Sequence, residues 1–103
     1  MAKPSYKRGT YTGTDAAINI ELGFVPGWVE IINWTDGDKR FVFTEDKTFV
    51  HTGGTNATAT VASNGISTFA GVSGGEAAPK APGFTAGTEV SADGKVYAYI
   101  AYR

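Results

Sequence analysis

The chain alternates apolar and polar residues with a period of two, in short runs closed off by glycine, aspartate or proline. Residues 16–22 show the pattern most plainly. Ile18, Ile20 and Leu22 fall on one face, and Asn19 and Glu21 on the other, as a pleated strand with one covered face requires. No stretch repeats its apolar residues at the 3.6-residue helical period. Short strands at roughly 8–12-residue spacing predict an all-β domain, a small antiparallel β-sandwich or a jelly-roll-like barrel. The fourteen glycines and thirteen aromatic residues agree with this. Glycine serves tight turns, and aromatic side chains suit a half-buried pleated surface.

The runs can be placed in order along the chain. Residues 1–5 form a polar, extended arm that contains Pro4. Residues 6–12 make a first strand, a turn follows at Gly13-Thr14-Asp15, and residues 16–22 make the second. Pro26-Gly27 suits the centre of a type II turn, since proline presets φ and glycine accepts a positive φ. Residues 28–35 then carry Val29, Ile31 and Asn33 on one side, and Trp28, Glu30, Ile32 and Trp34 on the other. Apolar groups on both faces predict a central strand, covered on both sides or completed by another subunit. Asp36-Gly37-Asp38 signals a hairpin into residues 39–44, and residues 45–47 turn into a strand over residues 48–52.

From residue 52 to residue 88 the composition shifts to Gly, Ala, Ser and Thr. Residues 55–62 and 65–72 read as two flat, weakly specified strands. Residues 71–82 read as a long Gly/Ala-rich loop, of the kind that contacts partners. Residues 83–90 are extended, Ala92-Asp93-Gly94-Lys95 predicts a last hairpin turn, and residues 96–103 form a final strand with apolar groups on both faces. The whole is one domain, residues 6–103, behind the arm of residues 1–5.

Charge and composition exclude several roles. Nine basic and ten acidic residues leave a net charge of −1, with no basic excess to neutralise nucleic-acid phosphates. No run of 18 apolar residues exists to span a membrane. The first residues lack the apolar core of a secretory leader, which predicts synthesis and use in a cytoplasm. Without cysteine there is neither disulfide nor thiolate chemistry. A small domain without such staples commonly gains stability by oligomerising.

No catalytic constellation is legible. His51 is the single histidine, and no Gly-x-Ser-x-Gly elbow accompanies it to supply a nucleophile. The acidic pairs Asp36/Asp38 and Glu45/Asp46 lie in turn signals, where aspartate caps the backbone. No calcium loop follows Asp36-Gly37-Asp38, and one histidine with no cysteine does not make a zinc site. Gly71-Val72-Ser73-Gly74-Gly75 matches a phosphate loop in glycine count alone, with no Lys-Ser/Thr and no helix after it. The aromatic residues Trp28, Trp34, Tyr97, Tyr99 and Tyr102 admit two uses. Flat rings can stack on sugars, or they can pack as core or subunit interface, where Trp and Tyr are enriched. Their place on strands with two apolar faces favours core or interface.

Two stretches, residues 11–33 and 83–103, carry a resemblance. The first runs through Leu22-Gly23-Phe24-Val25-Pro26 into Val29-Glu30-Ile31-Ile32-Asn33. The second contains Gly83-Phe84-Thr85-Ala86-Gly87-Thr88, then Asp93-Gly94, then Tyr97-Ala98-Tyr99-Ile100-Ala101. Together they resemble small virion structural proteins of tailed bacteriophages, and the short chain favours a capsid decoration, or cement, protein among them. The Gly/Ala-rich middle is not matched. The resemblance implies a sandwich-like fold and a homotrimer or similar cluster on the capsid surface. It implies the major capsid protein as partner, no enzyme activity, no cofactor and no catalytic residues. The arm is the natural tether, with Lys3, Pro4, Tyr6, Lys7 and Arg8 able to add a strand to a coat-protein sheet. Trp28, Trp34, Tyr97, Tyr99 and Tyr102 are the expected subunit interface. The rival expectations are a receptor-binding, carbohydrate-recognising module of a tail fibre, and a tail or baseplate component.

Overall fold

The computed structural model describes residues 6–44, 47–53, 57–61, 63–72 and 80–103. It is all-β. Among the described residues nine strands run in the order β1 (Tyr6–Thr12), β2 (Ile18–Glu21), β3 (Trp28–Asn33), β4 (Lys39–Thr44), β5 (Lys47–Thr52), β6 (Ala57–Val61), β7 (Ile66–Phe69), β8 (Gly83–Ala86) and β9 (Val96–Tyr102). They form a six-stranded sheet, β1-β9-β3-β4-β5-β6, and a three-stranded sheet, β2-β8-β7. Every pairing is antiparallel. Of the two expected architectures this is the sandwich, because no strand pairing among the described residues joins one sheet to the other.

The strands β3 and β9 are central, as their apolar content predicts. β9 lies between β1 and β3, and β3 between β9 and β4. The core forms where the inward faces of the two sheets meet. Val29 and Ile31 from β3, Phe41 and Phe43 from β4, and Tyr97 and Ala101 from β9 face Ile66, Phe84 and Ala86 of the smaller sheet. Phe84 has no exposed surface and meets the Tyr99 ring edge-on, with centroids 5.4 Å apart. Full burial of the Phe84 ring contributes about 1.5–3 kcal/mol. Leu22, Phe24 and Pro26 are buried in alternation with the exposed Gly23, Val25 and Gly27. That extended segment carries the chain from the small sheet back to the large one.

Three local expectations differ from the structure. The left-handed position in the second connection is Gly23, at φ 93°, and not Gly27. Gly27 instead donates its N–H to the Tyr102 carbonyl at 2.9 Å, so Pro26-Gly27 continues the strand entry and makes no type II turn. Residues 83–90 are not one extended run. β8 ends at Ala86, and Thr88–Val90 forms a 3-10 turn that buries Val90. Ala92-Asp93-Gly94-Lys95 does turn tightly, with Gly94 at φ 76° and the Lys95 N–H on the Ala92 carbonyl at 3.1 Å. It is not a hairpin, however. It hands the chain from the small sheet to the large one, where β9 pairs with β1 and β3. Turn chemistry is local, whereas strand pairing is decided by which buried face finds cover.

One buried hydroxyl ties the sheets together. Thr48 of β5 donates its Oγ1 hydrogen to the Ile66 carbonyl at 3.1 Å and accepts the Ile66 N–H at 2.8 Å. It therefore does for β7 what a neighbouring strand backbone would do. Gly65 makes this possible, since a Cβ there would stand 2.8 Å from the Thr48 hydroxyl oxygen. At the other end, Tyr11 of β1 stacks on Tyr97 of β9, with centroids 5.2 Å apart, and donates to the Val90 carbonyl at 2.8 Å. Gly9 leaves room for the Tyr99 ring, whose hydroxyl oxygen would lie 2.9 Å from a Cβ at that position.

Replacement of Thr48 by valine keeps the volume and removes both bonds, leaving the Ile66 N–H and carbonyl buried without partners. A loss of about 2–4 kcal/mol is expected from two such groups, read by urea denaturation; a serine variant should recover most of it. Burial pushes the Tyr11 hydroxyl far above its ordinary value near 10, with the adjacent Tyr97 adding to the shift. The unfolded chain then releases this proton first as pH rises, so stability falls above about pH 10. Tyr11→Phe should flatten that fall between about pH 9 and about pH 11, and an unchanged slope in denaturation curves would exclude Tyr11 as its source.

Candidate interaction surface

The three strands of the smaller sheet lie against the inner face of the larger one. No described strand covers the outer face of the larger sheet. Direct cross-strand partners share a face, so the pairing register gives its layout. One row reads Tyr6, Tyr102, Trp28, Thr44, Lys47 across β1, β9, β3, β4 and β5. The next reads Arg8, Ile100, Glu30, Val42, Phe49, Thr60 across all six strands, and the third Thr10, Ala98, Ile32, Arg40, His51, Thr58. Trp34 continues beyond β3, anchored by its N–H to the Val96 carbonyl at 2.8 Å.

This face is unusually apolar for one that meets solvent. Tyr6 is 49 % exposed, Trp34 69 %, Tyr102 43 %, Ile32 38 % and Trp28 37 %. The Tyr6 and Tyr102 rings lie 6.1 Å apart. Trp28 donates its ring N–H to Glu30 Oε1 at 3.1 Å. Apolar rows of this kind, broken by single charges, mark contact surfaces more than free ones.

The five aromatic residues expected at an interface do not act together. Trp28, Trp34 and Tyr102 are on the outer side. Tyr97 and Tyr99 point inward, Tyr97 being almost fully buried and accepting the Ala92 N–H at 3.0 Å, and Tyr99 resting on Phe84. Tyr97 is a core residue, and Tyr99 is a half-buried residue packed against the core. The reason is register: Tyr97, Tyr99 and Ala101 occupy alternate positions of β9, so all three fall on the side that the small sheet covers. The same division separates the rings that a sugar platform would need on one face.

The arm residues divide as well. Lys3 and Pro4 lie outside the described residues. Tyr6, Lys7 and Arg8 belong to β1, paired with Tyr102, Ala101 and Ile100, so they are part of the domain and are not a loose tether. The proposed contact loop, residues 71–82, begins and ends with the Val72–Lys80 bridge, in which each N–H meets the other residue's carbonyl. Residues 73–79 lie outside the described residues.

The remaining candidates for chemistry are spread apart. His51 Nδ1 stands 3.1 Å from Thr58 Oγ1, with Arg40 as its other cross-strand neighbour, so no carboxylate lies opposite to orient the ring. Asp36 closes the end of β3. Its backbone N–H and Oδ2 bond the Asn33 side chain at 3.1 and 3.2 Å, and its Oδ1 accepts from Lys95 at 3.2 Å. No cluster of three or more potential metal ligands occurs among the described residues. An open cleft of about 560 Å³ lies where β5 and β6 diverge from β7, lined by Lys47, Thr60, Ser63, Asn64, Ser67 and Thr85 among others. The described residues of its lining include no carboxylate, histidine or aromatic ring. No helix among the described residues is long and apolar enough to cross a membrane.

Set against models of known protein families, curated proteins and solved structures, the chain matches none of them. The two sides of β9 and β3 are distinguishable by mutation. Tyr97→Ala should cost about 3–5 kcal/mol, the usual loss for a large buried ring. Trp34→Ala should change stability by no more than about 0.5 kcal/mol. Chemical denaturation of the two variants, in dilute solution, tests the assignment of faces.

Proposed function

We propose that this chain is a non-enzymatic structural subunit of a tailed-bacteriophage particle, a decoration protein that binds the outer capsid surface and stabilises it. The observation that carries this reading is the bare apolar face of the six-stranded sheet, with Trp28, Ile32 and Tyr102 in solvent. A surface of that kind is stable in water when other chains cover it. The resemblance to phage virion proteins supplies the particular assembly. Its two halves are distant in sequence but adjacent in space: β2 pairs with β8 in one sheet, and β3 with β9 in the other. The matched stretches thus form one unit across both layers, which supports reading them together.

The mechanism follows from area and multiplicity. A capsid filled with DNA is under internal pressure. A clamp that contacts neighbouring coat subunits adds apolar surface that must be re-exposed before they separate, at roughly 25 cal/mol per Å² before ordering costs. Several clamps in a cluster raise the effective local concentration of each next contact. The coat-binding element in this reading is the arm, residues 1–5, continuing from β1. Since Tyr6, Lys7 and Arg8 are committed to β1, truncation at residue 5 keeps every residue of β1 in the chain.

Quantitative mass spectrometry of purified particles tests the location. Hundreds of copies per particle are expected for a decoration protein, and a few dozen or fewer would place the chain in the tail or fibre. Removal of residues 1–5 should abolish co-sedimentation with undecorated capsids while leaving the thermal melt unchanged. Undiminished binding would remove the arm from the mechanism.

A further inference from the structure

We propose that two copies of this chain pack outer face to outer face about a two-fold axis that runs along β9. The order of charges across the sheet defines this pairing. In the middle row, Arg8 of β1, Ile100 of β9 and Glu30 of β3 stand side by side. Arg8 and Glu30 are thus one strand to either side of Ile100, and neither is in an ion pair among the described residues. A two-fold axis lying in the contact plane along β9 exchanges the columns on either side of it and keeps each row in place. It therefore sets Arg8 against Glu30 of the second copy, and Glu30 against Arg8 of the second copy. The same operation lays Tyr102, Ile100 and Ala98 on their own equivalents, and Tyr6 on Trp28 of the second copy. Such a patch is self-complementary, as an isologous dimer requires.

Other placements fail on charge. An axis along β3 would put Glu30 on Glu30 of the second copy. An axis across the strands through the middle row would put Arg8 on Arg8 of the second copy and Glu30 on Glu30. The β9 axis alone, among these, meets opposite charges twice and like charges never. Packed sheets lie about 10 Å apart, a gap that an arginine and a glutamate span from opposite sides. Trp28 already holds Glu30 Oε1, which fixes the carboxylate beside β3 and leaves its second oxygen for Arg8 of the second copy.

The contact spans three strands, so it belongs to the small class of interfaces and dissociates in roughly the micromolar range. It stands on the register of the larger sheet and does not depend on the phage reading, for which it supplies a subunit contact.

Sedimentation equilibrium of the full chain, from about 1 to about 200 µM, should give a mass rising from the 10.8 kDa of one chain to twice that value. Arg8→Glu and Glu30→Arg should each weaken the dimer by about tenfold or more, since like charges then meet twice. The double variant Arg8→Glu/Glu30→Arg should return to within about threefold of the parent. Near-ultraviolet circular dichroism confirms that each variant keeps the parental fold, and Ile100→Asp, on the axis, provides an independent disruption. A monomer throughout, single swaps without effect, or a double swap without recovery would overturn the pairing. A trimer would overturn it too, because no three-fold arrangement sets the two residues reciprocally, yet it would leave the decoration reading standing. A dimer restored by the double swap, on a chain that is absent from particles, would support the pairing and sink the decoration reading.

Discussion

Nine strands divided six and three cannot cover all of their own apolar surface. A sheet of three lies over one face of a sheet of six, and no described strand packs against the opposite face of the larger sheet. That inequality governs the molecule. It sends Val29, Ile31, Phe41, Phe43 and Tyr97 inward, where they meet Phe84 and Ile66. It leaves Trp28, Ile32, Trp34 and Tyr102 in water. A domain of this size has a modest core, and part of its apolar surface is directed outward instead of adding to that core.

The inner contact is specific as well as apolar. Thr48 meets Ile66 through its hydroxyl, at a point where Gly65 has no side chain to interfere. A hydrophobic layer alone lets two sheets slide, because burial is non-directional. A buried hydroxyl with both its donor and its acceptor engaged fixes one relative position. Tyr11 adds a second directional contact at the far end, donating from β1 to the Val90 carbonyl in the 3-10 turn that follows β8. Between them the small sheet has one seat on the large one.

The strands themselves were legible in the sequence. Alternation placed β1, β2, β3, β4, β5 and β9, and the Asp36-Gly37-Asp38 turn placed the β3–β4 hairpin. The distribution of strands between sheets was not legible. Residues 92–95 carry every mark of a hairpin turn, yet the strands on either side belong to different layers. Local φ/ψ preference does not record which surface a strand will bury. The same gap explains Tyr97 and Tyr99. A strand with apolar residues at every position reports that both faces are unsuited to water, not which of them the chain covers. Thr48 read as one more residue of a short strand, because its role requires the position of Gly65, seventeen residues later. The candidate surface was half-readable for the same reason: its aromatic residues stood out, and their division between faces waited on the register.

The pairing of β9 with β1 joins Tyr6 to Tyr102, nearly the full span of the chain. β3 also needs β9 along one of its edges. Until that late strand arrives, β1 has no neighbour in its sheet, and β3 presents a row of free backbone groups beside Trp28 and Ile32. Contacts this distant along the chain carry a large loop-closure cost before any of them is rewarded. Such a topology favours slow folding, and a chain in which β9 has not docked presents an open edge and an oily face together to any neighbouring chain in the same state. The residues that suit the finished domain to assembly are the ones that expose the unfinished one to aggregation.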